Sequence, residues 1–306
     1  MADRIIVPLD VPKESRTKYL ANYDKITRGS GRLMLFAGDQ KAEHLNDDFF
    51  GPGIDIQDSD PEHLFRIAAG ANIGVFAAQL GLIARYGMDY SSVPYLIKLN
   101  SKTSLVQTSQ AEPISMQWMD ISQVINFREQ SGLDILGVGY TIYLGSEREA
   151  EMLSQAARLV FQAHQAGLVT VLWIYPRGRA VRDERQPHLI AGASGVAAAL
   201  GSDFVKVNYP RQAGLDQAQT ALAFREAVMA SGRTKVVCAG GESTDPRRFL
   251  QRLHDQIHIS GAAGNATGRN IHQRPLDEAV RLCNAIYAIT VQDAGVDEAC
   301  RIYRGE

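Results

Sequence analysis

Lys206 sits in the middle of SDFVKVNYP (202–210), an apolar, β-branched run that otherwise has the character of a buried strand. Burying an ammonium is expensive, so the position asks for a chemical reason. A free lysine titrates near ~10.4 and is a poor nucleophile at neutral pH. Removal from water, or a neighbouring cation, lowers that value and exposes the nitrogen lone pair. A neutral amine can attack a ketone and form an imine. Once protonated, the imine is an electron sink for the neighbouring carbon, which is what making or breaking a carbon–carbon bond by aldol chemistry requires. Such a site also needs a group to move protons. Tyr175 closes LVTVLWIYP (168–176) and Asp39 closes RLMLFAGD (32–39), and either could serve.

Strand parity brings these residues together. Side chains alternate across a strand, so Val205 and Val207 share one face while Phe204, Lys206 and Asn208 share the other. The β-branched pair suits packing under helices, which turns Lys206 the opposite way. By the same alternation Trp173 and Tyr175 share a face with Val171, and Asp39 shares one with Leu35 and Ala37. Each residue alone has a plainer reading: a lysine paired with a carboxylate, a packed aromatic, a helix cap. Three of them at matching depths on three strands argue for a site. Lys98 in VPYLIKLN (93–100) is a competing nucleophile of the same parity, or a partner for the carboxylate or for a substrate phosphate.

The elements that must position these groups are eight short apolar runs: 32–39, 71–79, 93–100, 133–141, 168–176, 202–210, 234–241 and 257–264. Amphipathic stretches lie between them, at 61–69, 118–131, 146–167, 188–200, 215–231, 245–255 and 275–289. Alternation of strand and helix implies parallel pairing through crossover helices, and eight units favour closure into a single-domain (β/α)8 TIM barrel. A doubly wound sheet would need a glycine fingerprint after its first strand, and GDQKAE is not one. Residues 1–31 are expected to form an N-terminal extension under the barrel, which occupies 32–306. Chemistry in such a barrel gathers where strands end. The glycines of AGGES (239–243) and ATGRN (266–270), together with Arg269, suggest a phosphate cradle after the last two strands.

The bulk numbers exclude several function classes. The chain has 306 residues, 45% hydrophobic and 22% charged, with a formal net charge of −2 and no basic tract, so no nucleic-acid surface is expected. No apolar run approaches the roughly 20 residues of a membrane span, and the charged N-terminal stretch lacks a signal-peptide core. Cys238, Cys283 and Cys300 are widely spaced and form no CxxC, as expected of reduced thiols in a cytoplasmic protein. The seven histidines make no ligand constellation at strand ends, and the expectation is no metal and no cofactor. His254 and His258 have helical spacing, but 258 falls where the eighth run begins. Asn46, Asp47 and Asp48 read as a solvated loop.

GDQKAEH (38–44), VLWIYPRG (171–178), SDFVKVNYP, AGGES and GRNIHQ (268–273) together resemble the archaeal-type class I fructose-bisphosphate aldolases of the DeoC/FbaB aldolase family, across nearly the whole barrel. The resemblance implies that Lys206 forms the imine, that Tyr175 transfers protons, and that Asp39 and Trp173 line the reacting end. It implies a phosphate held by Gly240, Gly241, Gly268 and Arg269. His44 and Arg177, inside the matching motifs, join Lys98 as expected substrate contacts. A phosphorylated sugar substrate, metal independence and a large homo-oligomer, possibly a decamer, are further implications. Where many members read DHGxEH, this chain has Gln40 and Lys41 in place of the His-Gly pair, which bears on the strand-one loop and on substrate choice. Relatives in the family include a synthase for an aromatic-amino-acid precursor and a thiolase acting on a phosphorylated signal, so a sibling Schiff-base lyase or transferase is the alternative. A phosphosugar isomerase barrel, working without a covalent intermediate, and a non-catalytic binding barrel complete the field.

Overall fold

Leu33–Ala37 reads LMLFA, and all five residues are buried. That pattern marks a strand with side chains inside a closed barrel on one face and under helices on the other. The same holds for Val75–Gln79, Tyr95–Lys98 and Phe204–Val207. In the computed structural model, which describes residues 5–106 and 111–306, eight parallel strands close in sequence order. They are β1 (Leu33–Ala37), β2 (Val75–Gln79), β3 (Tyr95–Lys98), β4 (Ile135–Leu144), β5 (Val169–Pro176), β6 (Phe204–Val207), β7 (Lys235–Ala239) and β8 (Gly264–Thr267). The described helices run from α1 (Arg16–Thr27) and α2 (Gln40–Glu43) through α3 (Glu62–Gly70), α4 (Leu80–Tyr86), α5 (Ile121–Ser131) and α6 (Glu149–Gln165). They continue as α7 (Pro187–Ala199), α8 (Gln217–Ala230), α9 (Pro246–His258), α10 (Arg269–His272), α11 (Leu276–Gln292) and α12 (Val296–Arg304). This is the (β/α)8 barrel that the alternation implies. None of the described helices is long and apolar enough to cross a membrane.

Local chemistry fixes the helix starts. Asp120 and Gln123 form a reciprocal capping box on α5, and Asp216 and Gln219 do the same on α8. Proline occupies the first turn of α7 and of α9, where its missing N–H has no helical partner to lose.

Two strands differ from the sequence expectation. Residues 257–259 are not strand: Phe249, Leu250, Leu253 and Ile257 make one buried helical stripe, so the apolar IHI is the end of α9. His254 and His258 therefore share that helix, with ring centroids 4.1 Å apart. The eighth strand is instead Gly264–Thr267, whose polar Asn265 and Thr267 hid it from a hydrophobicity reading. β4 runs three residues past Thr141, to Leu144, which carries Tyr143 onto the barrel rim.

At the opposite end, Tyr19, Tyr23 and Ile26 of α1 join the lumen-facing residues Leu33, Leu35 and Phe204 in one apolar cluster, with Tyr23 stacked on Phe204 at 5.4 Å. A polar clasp accompanies it. His164, fully buried in α6, lies between Asp10 at 2.8 Å and Asp203 at 3.1 Å, while the Tyr19 hydroxyl donates to Asp203. Burial alone would lower the imidazole, but Asp203 and then Asp10 outweigh it and raise His164 from 6.5 to about 9. A raised folded-state value stabilises the fold below the unfolded value and is lost as pH climbs through the folded one, here from 6.5 to about 9. Denaturant unfolding across that window should show a loss of roughly 3 kcal/mol in the wild type relative to His164→Gln. Parallel pH curves for the two proteins would refute the clasp's charged state.

Candidate active site

Strand registers build the site. Thr141 pairs with Trp173 and Trp173 with Lys206, so a hydroxyl, an indole and an amine lie in one inward row across β4, β5 and β6. Lys206 is 5% exposed and its Nζ stands 5.3 Å from the Trp173 ring centroid. From β3, Lys98, 3% exposed, brings a second Nζ to 5.1 Å from the same ring. Lys98 donates to Thr141 Oγ1 at 2.6 Å and to the Asn100 carbonyl at 3.0 Å, and Asn100 is tied in turn to the Thr141 backbone. Lys98 is thus held in place by hydrogen bonds. Among the described residues, none hydrogen-bonds to Lys206, the other buried amine facing the indole.

Carboxylates offset part of the charge. Asp39, two residues beyond β1, places Oδ2 at 3.8 Å from Lys98 Nζ, while its buried Oδ1 has no hydrogen-bond partner. Burial lowers Lys98 from 10.5 to about 8, against the pull of Asp39 and Glu43. Lys206 is lowered as well, by burial first, opposed by Asp39 and Glu43 and reinforced by the Arg269 cation. An amine lowered in this way carries a larger neutral, nucleophilic fraction near neutral pH. Tyr175, on the Trp173 face one pleat further out, is raised well above 10.0 by burial and by the same two carboxylates. It is therefore a neutral phenol at working pH, with a proton to give.

The outer residues fall into two groups. On one side, His44 Nδ1 is 2.9 Å and Arg269 Nε 3.6 Å from Asp48 Oδ2, so the loop after β1 and the start of α10 meet on one carboxylate. Asn270 Nδ2 donates to the carbonyls of Gly240 at 3.2 Å, Gly241 at 3.4 Å and Glu242 at 2.9 Å, lacing the β7 loop to the β8 loop. Gln40, a departure from the family motif, lies against Gly268: a Cβ there would be 2.3 Å from Gln40 Nε2. On the other side, Arg177 is engaged by Glu184 through Nε at 2.9 Å and Nη2 at 3.1 Å, and stacks over Tyr143. Tyr143 donates to Glu43 at 2.7 Å.

Sequence reasoning did not single out Thr141, Tyr143, Glu43 or Asn270, and it read Asp48 as part of a solvated loop, whereas that side chain is buried against His44 and Arg269. Parity could have found Thr141 at the end of the fourth run as read, and Tyr143 had β4 been carried to its true end. Among the described residues no group of three or more His, Cys, Asp or Glu side chains could hold a metal.

Gly139 makes room for the indole that both amines face: a Cβ there would sit 2.3 Å from Trp173 Cζ3. Gly139→Ala should displace the ring, destabilise the fold by about 1–3 kcal/mol and shift tryptophan fluorescence. An unaltered spectrum and unfolding midpoint would show that the indole is not clamped there.

A model for DeoC/LacD family aldolases matches residues 33–274. The chain is 57% identical over 300 residues to a Methanocaldococcus jannaschii protein named fructose-bisphosphate aldolase/6-deoxy-5-ketofructose 1-phosphate synthase, covering 98% of this chain and 94% of the relative. It is 32% identical over 270 residues to a Halobacterium salinarum class 1 fructose-bisphosphate aldolase, covering 88% and 94%. A solved fructose-bisphosphate aldolase from Slackia heliotrinireducens superposes with a TM-score of 0.95 at 57% identity, covering 100% of this chain and 95% of that one. An archaeal fructose-1,6-bisphosphate aldolase, solved with its catalytic lysine covalently bound to the carbinolamine intermediate, gives 0.74 at 30% identity, covering 90% and 99%. With most of the barrel matched and identity this high over nearly its full length, the chain belongs to the DeoC/LacD family of aldolases.

Proposed function

We propose that the protein is a class I, Schiff-base aldolase that reversibly cleaves fructose 1,6-bisphosphate to glycerone phosphate and glyceraldehyde 3-phosphate. The observation that carries the reading is the Lys206 amine, buried in the lumen, lowered by that burial, and without a hydrogen-bond partner among the described residues. Its lone pair attacks C2 of the open-chain sugar, giving a carbinolamine. Loss of water, assisted by the Tyr175 proton, yields the iminium. The Tyr175 phenolate left behind takes the proton of the C4 hydroxyl. The C3–C4 pair then flows into the iminium, releasing glyceraldehyde 3-phosphate and leaving an enamine. Protonation at C3 and hydrolysis free glycerone phosphate and the amine. Asp39 steadies the positive charge through these steps. The laced β7 and β8 loops with Arg269 anchor one phosphate, and His44 joins them through Asp48.

A second activity of the same enamine is supported by the jannaschii relative's name. Disconnecting 6-deoxy-5-ketofructose 1-phosphate between C3 and C4 gives glycerone phosphate and a three-carbon ketoaldehyde. The Lys206 enamine would then be captured by that aldehyde in place of glyceraldehyde 3-phosphate. The acceptor end lies away from the phosphate loops, so the two reactions differ in what occupies the far side of the lumen. We further propose a cytoplasmic homo-oligomer, up to a decamer. Buried free thiols at Cys238, Cys283 and Cys300, and exposed Phe161, Leu222 and Met229 on the helical layer, support it.

Borohydride added with fructose 1,6-bisphosphate should inactivate the enzyme and add the glycerone phosphate mass at Lys206, with or without chelator. Lys206→Met should lose activity on the order of 10³-fold or more. Absence of any adduct would overturn the assignment and leave an isomerase reading standing, whereas an adduct only at Lys98 would move the imine to that residue. Tyr175→Phe should keep the fold and the borohydride adduct while kcat falls by about 10²–10⁴. Wild-type turnover in that variant would remove Tyr175 from proton transfer.

A further inference from the structure

Beside the Gly240–Gly241 loop, at the ends of β6 and β7, lies a second polar cavity. It measures about 200 Å³, and Arg185, Arg211 and Arg252 line it together with Asn208, Tyr209 and Gly241. The Tyr209 ring packs edge-on against Phe224 of α8, Arg252 belongs to α9, and neighbouring Cys238 is part of the apolar cluster between strands and helices. Trp173, Lys98 and Lys206 do not touch it.

Three features point to an anion. First, none of the three guanidiniums has an ion pair among the described residues, although arginines elsewhere on the rim, such as Arg177 and Arg269, are matched to carboxylates. Second, the segments that carry two of these arginines are tied together: the Arg211 backbone N–H donates to the Arg185 carbonyl at 3.0 Å, joining the loops after β5 and β6 at the cavity. Arg252, half-buried, is lowered by burial and further by the Arg185 and Arg248 cations. Gathering like charges around a space is unfavourable unless a counter-charge fills it. Third, neutral groups that suit a phosphate share the wall. The buried Tyr209 hydroxyl has no hydrogen-bond partner, and Gly241, at φ +74, turns the backbone beside Arg252.

We propose that this cavity is a second anion site, selective for a phosphate dianion, free or as the monoester of a small metabolite. Planar guanidinium forks match phosphate oxygens, and three of them with a phenol hydroxyl satisfy a dianion. The site shares a wall with the candidate substrate loop. Arg252 Nη2 donates to the Gly240 carbonyl at 2.8 Å, the same oxygen to which Asn270 donates. An anion that recruits Arg252 competes with that bond, so the two sites communicate through one peptide.

Calorimetric titration of the Lys206→Met protein with inorganic phosphate, then with glycerone phosphate, tests this without relying on turnover. Two sites per chain are expected. Adding Arg185→Gln and Arg211→Gln, both exposed, should leave one site or weaken the second at least tenfold, and Arg→Lys at both should restore part of it. Whichever of the two ligands binds more tightly names the source. Adding Arg269→Gln should remove only the lumen site. If Arg269→Gln changes nothing while the paired arginine variant still loses a site, the lumen phosphate assignment fails and the second site stands. Unchanged stoichiometry and affinity in the paired arginine variant overturns the second site.

Discussion

Two ammonium groups facing one indole inside a closed ring of strands is the arrangement on which the rest of this molecule depends. Neither cation is near bulk water, and each side chain costs stability by being there. For Lys98, held at about 8 rather than 10.5, the penalty on its charged form is roughly 3 kcal/mol. Hydrogen bonds donated to Thr141 and Asn100, and the nearby Asp39 carboxylate, keep that amine in place. Lys206 lacks such anchors and sits against Trp173, with charges of both signs further off. One lysine is thereby fixed and the other left available, which is a division of labour that identical side chains acquire from their surroundings alone.

The frame around this pair is shaped to hold it. The strands are buried on both faces, and the helical layer outside and α1 beneath close off solvent. Gly139 clears space for the indole, and the Thr141–Trp173–Lys206 register sets all three at one depth. The carboxylates that temper the charge come from the loop after β1 and from α2, not from the barrel wall. Stability at the far end rests on other contacts: the His164 clasp joins α6 and Asp203, just before β6, to the N-terminal segment.

Much of this could be read from residue order, because period-two alternation says which way a strand side chain points. Val205 and Val207 on one face forced Lys206 onto the other, and the same rule placed Trp173 and Tyr175. The alternation of strands and helices likewise gave the barrel. The failures have physical causes. Ile257 is apolar in a helix stripe and in a strand alike, so composition could not separate the end of α9 from β8. Asn265 and Thr267 are buried polar residues that hydrogen-bond to Thr290 and to each other, a pairing visible only in three dimensions. Asp48 gathers His44 and Arg269 from segments far apart in the chain, and the arginine cavity gathers three segments. Neither leaves a local signature.

The central claim is that burial keeps the Lys206 nitrogen uncharged often enough to act as a nucleophile, and the ionisation of that nitrogen tests it most directly. Selective isotope labelling of lysine, with the Lys206 resonance identified by its absence in Lys206→Met, allows an NMR titration of the free enzyme. A midpoint well below 10.5, distinct from that of exposed lysines, is the outcome required by the geometry. A Lys206 that titrates at or above 10.5 would contradict it, because the amine would then be a structural cation held by Asp39 and Glu43.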